Sequence, residues 1–124
     1  MPRRRPPPQA VVSFTLIDPD LDVDIGPLQN GDTLNLSALP ARHLNGRANT
    51  SPSPVGSVRF ALDVNSIYRT ENRAPYSLAG DRDGNYAAWT PSVGSHTLAA
   101  TPYTGANATG TVGTPLTMTF TVVE

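Results

Sequence analysis

The chain has neither cysteine nor lysine. Without cysteine there are no disulfides and no thiol chemistry, so the fold rests on its core alone. All nine basic residues are Arg, and three of them, Arg3, Arg4 and Arg5, stand at the very start. The remaining six Arg face ten acids, which gives the body a charge of −4. That balance argues against a nucleic-acid groove, because phosphate binding needs clustered basic charge. Long apolar runs are missing too, so no segment reads as inserting in a membrane. No window has apolar residues at helical spacing over a useful length.

What is present is alternation. Residues Pro115 to Val123 read P-L-T-M-T-F-T-V-V. Leu116, Met118, Phe120 and Val122 point one way and Thr117, Thr119 and Thr121 the other, as in a strand with one buried and one wet face. Val11 to Ile17 repeats the pattern, with Val12, Phe14 and Leu16 on one face. Leu34 and Leu36 in Asp32 to Leu39, and Val58, Phe60 and Leu62 in Val55 to Asp63, do the same. Weaker strands are expected at Leu44 to Thr50, within Ile67 to Ala79, at Tyr86 to Trp89 and at Ser95 to Thr101. Asn30-Gly31 and Asp83-Gly84 mark turns. Asp18 to Leu28 and Tyr103 to Thr114 read as loops.

Seven to nine short strands separated by turn residues, in 124 residues, predict one all-β domain. The expected architecture is an antiparallel Greek-key β-sandwich, immunoglobulin-like, fibronectin III-like or cadherin-like. Residues 1–10 read as a Pro/Arg linker, extended and solvated, and 11–124 as the domain. The basic start lacks the apolar stretch of a signal peptide, and the chain reads as a module of a longer protein.

From Val55 onward the string E-N-R-A-P-Y-S-L-A-G-D, then G-N-Y-A-A-W, G-S-H-T-L-A-A-T-P-Y and P-L-T-M-T-F-T-V, resembles Ig-like modules of large secreted or cell-surface proteins. The likeness spans residues 11 to 123 and is best after 55. It implies an extracellular, non-enzymatic spacer, adhesion or display unit in a multidomain or repeat chain. One departure stands out. Such domains open a strand with Gly-x-Tyr, whereas here Gly94-Ser95-His96 occupies that place and the Gly-x-Tyr lies at Gly84-Asn85-Tyr86.

Three sets of residues are candidates for binding. Asp18, Asp20, Asp22 and Asp24 alternate, and in an extended segment their like charges would share one side unless a cation screened them. Oxygen ligands suit Ca²⁺. Asp81 and Asp83 form a second acidic loop that could join them, although Asp83-Gly84 is also what a tight hairpin turn requires. The other reading of both is solvated loop. Trp89, Tyr86 and Tyr103 could stack on sugar rings from an exposed sheet, or serve the core. Asn35, Asn49 and Asn107 each begin an N-x-S/T sequon, which marks a glycan acceptor in a glycosylating secretory pathway. Catalysis has little to stand on. His43 and His96 are the only histidines, and no nucleophile elbow or zinc spacing surrounds them.

The expected function is therefore a non-catalytic extracellular module whose partner, protein or glycan, the residues do not name. The alternative is a carbohydrate-binding module that uses exposed aromatics, with loops stiffened by Ca²⁺.

Overall fold

A computed structural model describes residues 9–41 and 43–124. The Pro/Arg linker expected over residues 1–10 lies almost wholly outside them. The described residues form twelve strands, more than the seven to nine expected. They are β1 (Ala10–Asp18), β2 (Val23–Leu28), β3 (Thr33–Asn35), β4 (Asn45–Ser51), β5 (Ser57–Leu62), β6 (Asn65–Glu71), β7 (Tyr76–Ser77), β8 (Asp81–Arg82), β9 (Asn85–Tyr86), β10 (Gly94–Gly105), β11 (Thr109–Val112) and β12 (Leu116–Val123). Among the described residues, no helix is long and apolar enough to cross a membrane.

The fold is an all-β sandwich. The smaller sheet runs β2-β1-β4-β7. The larger runs β3-β12-β10-β5-β6, with β11 hairpinned onto β10. The chain crosses between sheets from β2 to β3, β3 to β4, β4 to β5, β6 to β7 and, through β8 and β9, β7 to β10, so paired strands such as β1 and β4 or β5 and β10 are distant in sequence. All pairings between strands are antiparallel except that β3 runs parallel to β12. A single core fills the space between the sheets. Phe14, Leu36, Phe60, Leu98, Met118, Phe120 and Val122 are all buried in it. The alternation of β12 is realised as read: Met118, Phe120 and Val122 are inside, and Thr117, Thr119 and Thr121 are exposed.

Several local expectations are overturned. Val12 is 55% exposed and Val11 only 3%. The register of β1 against β4 slips between Val11 and Ser13. The extra residue of a β-bulge reverses which side chains face the core. A second slip, against β2 between Leu16 and Ile17, buries those two consecutive residues together. Asp18 to Leu28 is not a loop but a turn followed by β2, which pairs back on β1. Likewise β11 makes a hairpin of the segment read as a Gly-rich loop. That hairpin is tied down from outside: Ser57 Oγ donates to Gly105 O at 2.7 Å and accepts from Ala108 N at 2.9 Å. Gly56 passes so close to the Thr104 backbone that a Cβ there would collide with it. The expected strand from Tyr86 to Trp89 shrinks to the end of β9 and an isolated bridge between Trp89 and Leu44.

The first strand begins and the last strand finishes at opposite ends of the sandwich. Ala10 at the start of β1 bridges in parallel to Thr114, just ahead of β12. Val11 N donates to Thr114 O at 3.1 Å, and Thr114 N to Gln9 O at 2.8 Å. The first strand therefore enters at the end of the sandwich where β12 begins. Eight residues of β12 carry the chain roughly 26 Å to the opposite end.

Candidate functional site

The outer face of the smaller sheet carries a connected network of polar side chains. On β4, Ala48 turns inward, so Arg47 and Asn49 turn outward by the pleat. Arg47 Nη1 and Nη2 each lie 3.0 Å from an oxygen of Asp24 on the edge strand β2. This is the two-pronged guanidinium–carboxylate geometry. Arg47 Nε donates to Asn49 Oδ1 at 3.0 Å. Asn49 Nδ2 then donates to Ser13 Oγ at 3.0 Å and to Thr15 Oγ1 at 2.9 Å, both on β1. The bond to Asp24 raises the Arg47 pKa above its ordinary value, burial opposes it, and Tyr86 adds to the rise.

Tyr86 comes to this face from the β8–β9 hairpin, and its hydroxyl accepts from Arg47 Nη1 at 3.3 Å. The hairpin has almost no core of its own. It is held by Asn45, which is fully buried at the start of β4. Asn45 Nδ2 donates to Gly80 O at 3.0 Å and to Ala87 O at 2.9 Å, on either side of the hairpin. Its Oδ1 accepts from Ala79 N at 3.0 Å and Gly46 N at 2.8 Å. All the capacity of that amide side chain is spent. Asp22 Oδ1 adds a further tether, accepting from Tyr86 N at 2.8 Å. Between the hairpin and the turn before β7 lies an open groove of about 510 Å³, lined by Arg47, Asn49, Thr50, Ser53, Ala74, Pro75 and Tyr86 among others.

The structure separates the acids that the sequence aligns. Asp18 is buried, and its Oδ1 caps the turn by accepting from Asp20 N at 3.0 Å. Asp20 lies 3.6 Å from His43, and Asp22 and Asp24 are bound to Tyr86 and Arg47 as above. The turn at residues 19–22 breaks the extended run, so the four carboxylates do not share a side. Asp81 Oδ2 accepts from Gly84 N at 2.8 Å, closing the hairpin turn. Asp81 and Asp83 line a second groove with Glu71, whose pKa burial raises against the pull of Arg69. Among the described residues, no group of three or more His, Cys, Asp or Glu could hold a metal ion.

The three aromatics are also dispersed. Trp89 is half-buried, packs on the core and meets Phe120 edge-on, with centroids 6.4 Å apart. Tyr103 sits on the larger sheet, 6.0 Å from the Arg59 guanidinium. Of the three, Tyr86 alone stands in the groove. Among the sequons, Asn35 and Asn107 are exposed, whereas Asn49 is engaged through its amide nitrogen in the β1 hydroxyl bonds. Asn107 Oδ1 accepts from Asn72 Nδ2 at 2.8 Å.

Arg47 and Asn45 are not among the residues that the sequence singles out as candidates. The run N-G-R-A-N-T does carry a signal for Arg47, since period two puts Arg47 and Asn49 on one face. Nothing local marks Asn45. Against models of protein families, curated proteins and solved structures, the chain matches none.

Proposed function

We propose that this chain is a non-catalytic Ig-like module of a secreted or cell-surface protein, serving to space and display the segments on either side of it. The single observation that carries this reading is the placement of entry and exit. The first strand begins at one end of the sandwich and the last finishes at the other, about 26 Å away. Modules joined through such ends extend a chain rather than fold it back. The two histidines support a non-catalytic role. His96 spends both ring nitrogens on Asp63 and Ser92, and exposed His43 lies against Asp20.

Small-angle scattering of two copies fused in tandem tests the spacer role. The maximum dimension should nearly double relative to one copy, and a side-by-side pair with little increase would refute it. Fractionation of the source cells with an antibody to the chain tests location. Signal confined to the cytosol would remove the surface assignment.

A further inference from the structure

We propose that the groove on the smaller sheet, between Tyr86 and the Ala74–Pro75 turn, binds a neutral saccharide. This does not depend on the spacer role, since either could hold without the other.

The first ground is construction. Exposed aromatics on two-residue hairpins are ordinarily loose, because a hairpin that short has no stability of its own. Here a fully buried side chain, Asn45, commits three of its four bonds to the residues flanking that hairpin, and Asp22 fastens the Tyr86 backbone from a separate loop. A surface ring held from two directions before any ligand arrives loses little freedom on binding, which is the preorganisation that binding sites need.

The second ground is the chemistry of the lining. Arg47 is matched in charge by Asp24, so an anionic ligand would have to displace an intramolecular carboxylate. Asp22, which holds the Tyr86 backbone, repels anions as well. Purely apolar ligands find a polar floor. Hydroxyl groups of a sugar, each both donor and acceptor, fit what is left over. The Tyr86 hydroxyl accepts from Arg47 and keeps its own hydrogen to donate. Asn49, also in the lining, is held in place by Ser13 and Thr15, which stand behind it and accept from its amide nitrogen. Beside the lining, Asp24 pairs with Arg47 and remains 56% exposed, with lone pairs unused by Arg47. The Tyr86 ring and the Ala74–Pro75 turn offer apolar surface for the C–H faces of the rings. At about 510 Å³ the groove falls within the range of small-ligand sites.

The test is an amide and side-chain NMR titration of ¹⁵N-labelled chain with cellohexaose, laminarihexaose, mannohexaose and chitohexaose, each to about ten millimolar. A heparin hexasaccharide serves as the anionic probe. At least one neutral hexasaccharide should shift the Arg47 Nε–H and the amides of Asn49 and Tyr86, saturably. Tyr86→Ala should weaken binding at least tenfold, while Trp89→Ala and Tyr103→Ala leave it within twofold. If Tyr86→Ala does not fold, Asn49→Ala and Tyr86→Phe replace it. The first should weaken binding, and the second should retain the ring contribution but lose the hydroxyl bond. No shifts at these residues with any neutral probe would overturn the proposal. Shifts with heparin alone, or neutral binding that survives loss of the Tyr86 ring, would also overturn it.

Discussion

His96 Nδ1 lies 2.8 Å from Asp63 Oδ2, in a ring that is only 7% exposed and stacks on Phe120 with centroids 5.4 Å apart. Its other nitrogen, Nε2, lies 2.7 Å from the carbonyl of Ser92. A carbonyl only accepts and Asp63 is a carboxylate, so both ring nitrogens must donate, and the imidazolium is the form that fits. Burial lowers the His96 pKa, but the Ser92 and Asp63 bonds outweigh it and the net shift is upward from 6.5. Burial likewise raises the Asp63 pKa, but the bonds from His96 and Thr97 outweigh it and the net shift is downward from 3.8.

These two shifts fix the sign of the pH dependence. A raised His pKa gives stability that is complete below the unfolded value and disappears as pH rises through the folded one. A lowered Asp pKa gives stability present above its unfolded value and lost as pH falls through the folded one. Thermal stability should therefore be greatest in mildly acidic solution, between the two, and should decline above neutrality. Melting curves from pH 4 to 9 check this. His96→Gln, which cannot titrate, should flatten the decline on the alkaline side. An unchanged slope in that variant would assign the decline to other groups.

Asn45→Ala should cost about 3 kcal/mol, since it strands the buried Gly80 carbonyl and leaves the Ala87 carbonyl and the Ala79 amide without their partner. Urea unfolding measures the loss. Hydrogen exchange should show the β8–β9 hairpin losing protection first, ahead of the strands that pack the core.

The bulge in β1 makes neighbouring valines unequal. Val11→Thr places a hydroxyl in the core and should cost on the order of 1–3 kcal/mol, whereas Val12→Thr should stay within about 0.5 kcal/mol. Reversed costs, with Val12→Thr the more damaging, would mean that β1 keeps its alternation unbroken.

Expressed in a glycosylating host, the chain should carry glycans at Asn35 or Asn107 and not at Asn49. Modifying Asn49 Nδ2 would remove one of the two hydrogens that it donates to Ser13 and Thr15 and set a glycan against that face. Site-specific glycopeptide mass spectrometry reads this directly.

Millimolar Ca²⁺ should leave the melting temperature unchanged. The acids proposed to bind it are bonded instead to Asp20 N, Tyr86 N, Arg47 and Gly84 N, or lie apart. A ligand that binds only the folded state must raise stability, so a clear upward shift would show that these carboxylates regroup around the ion.

The alternation of Leu116 to Val122 with its threonines, the leucines at 34 and 36, and the Val58–Leu62 series determined by themselves that the chain is a β-sandwich and which faces are buried. Period two is a local property, because it records the pleat of one strand, and one strand is enough to read it. The bulges at Val11–Ser13 and Leu16–Ile17 were decided by the partner strands, whose registers no local pattern contains. The same holds for the candidate site. Arg47 stands 23 residues from Asp24 and 39 from Tyr86, and Asn45 reaches 35 and 42 residues along the chain to fix the hairpin. Alternation places Arg47 on an outer face, but only sheet order brings the Asp24 carboxylate and the Tyr86 ring to it, because hydrogen bonds across such distances exist only after the sandwich has closed.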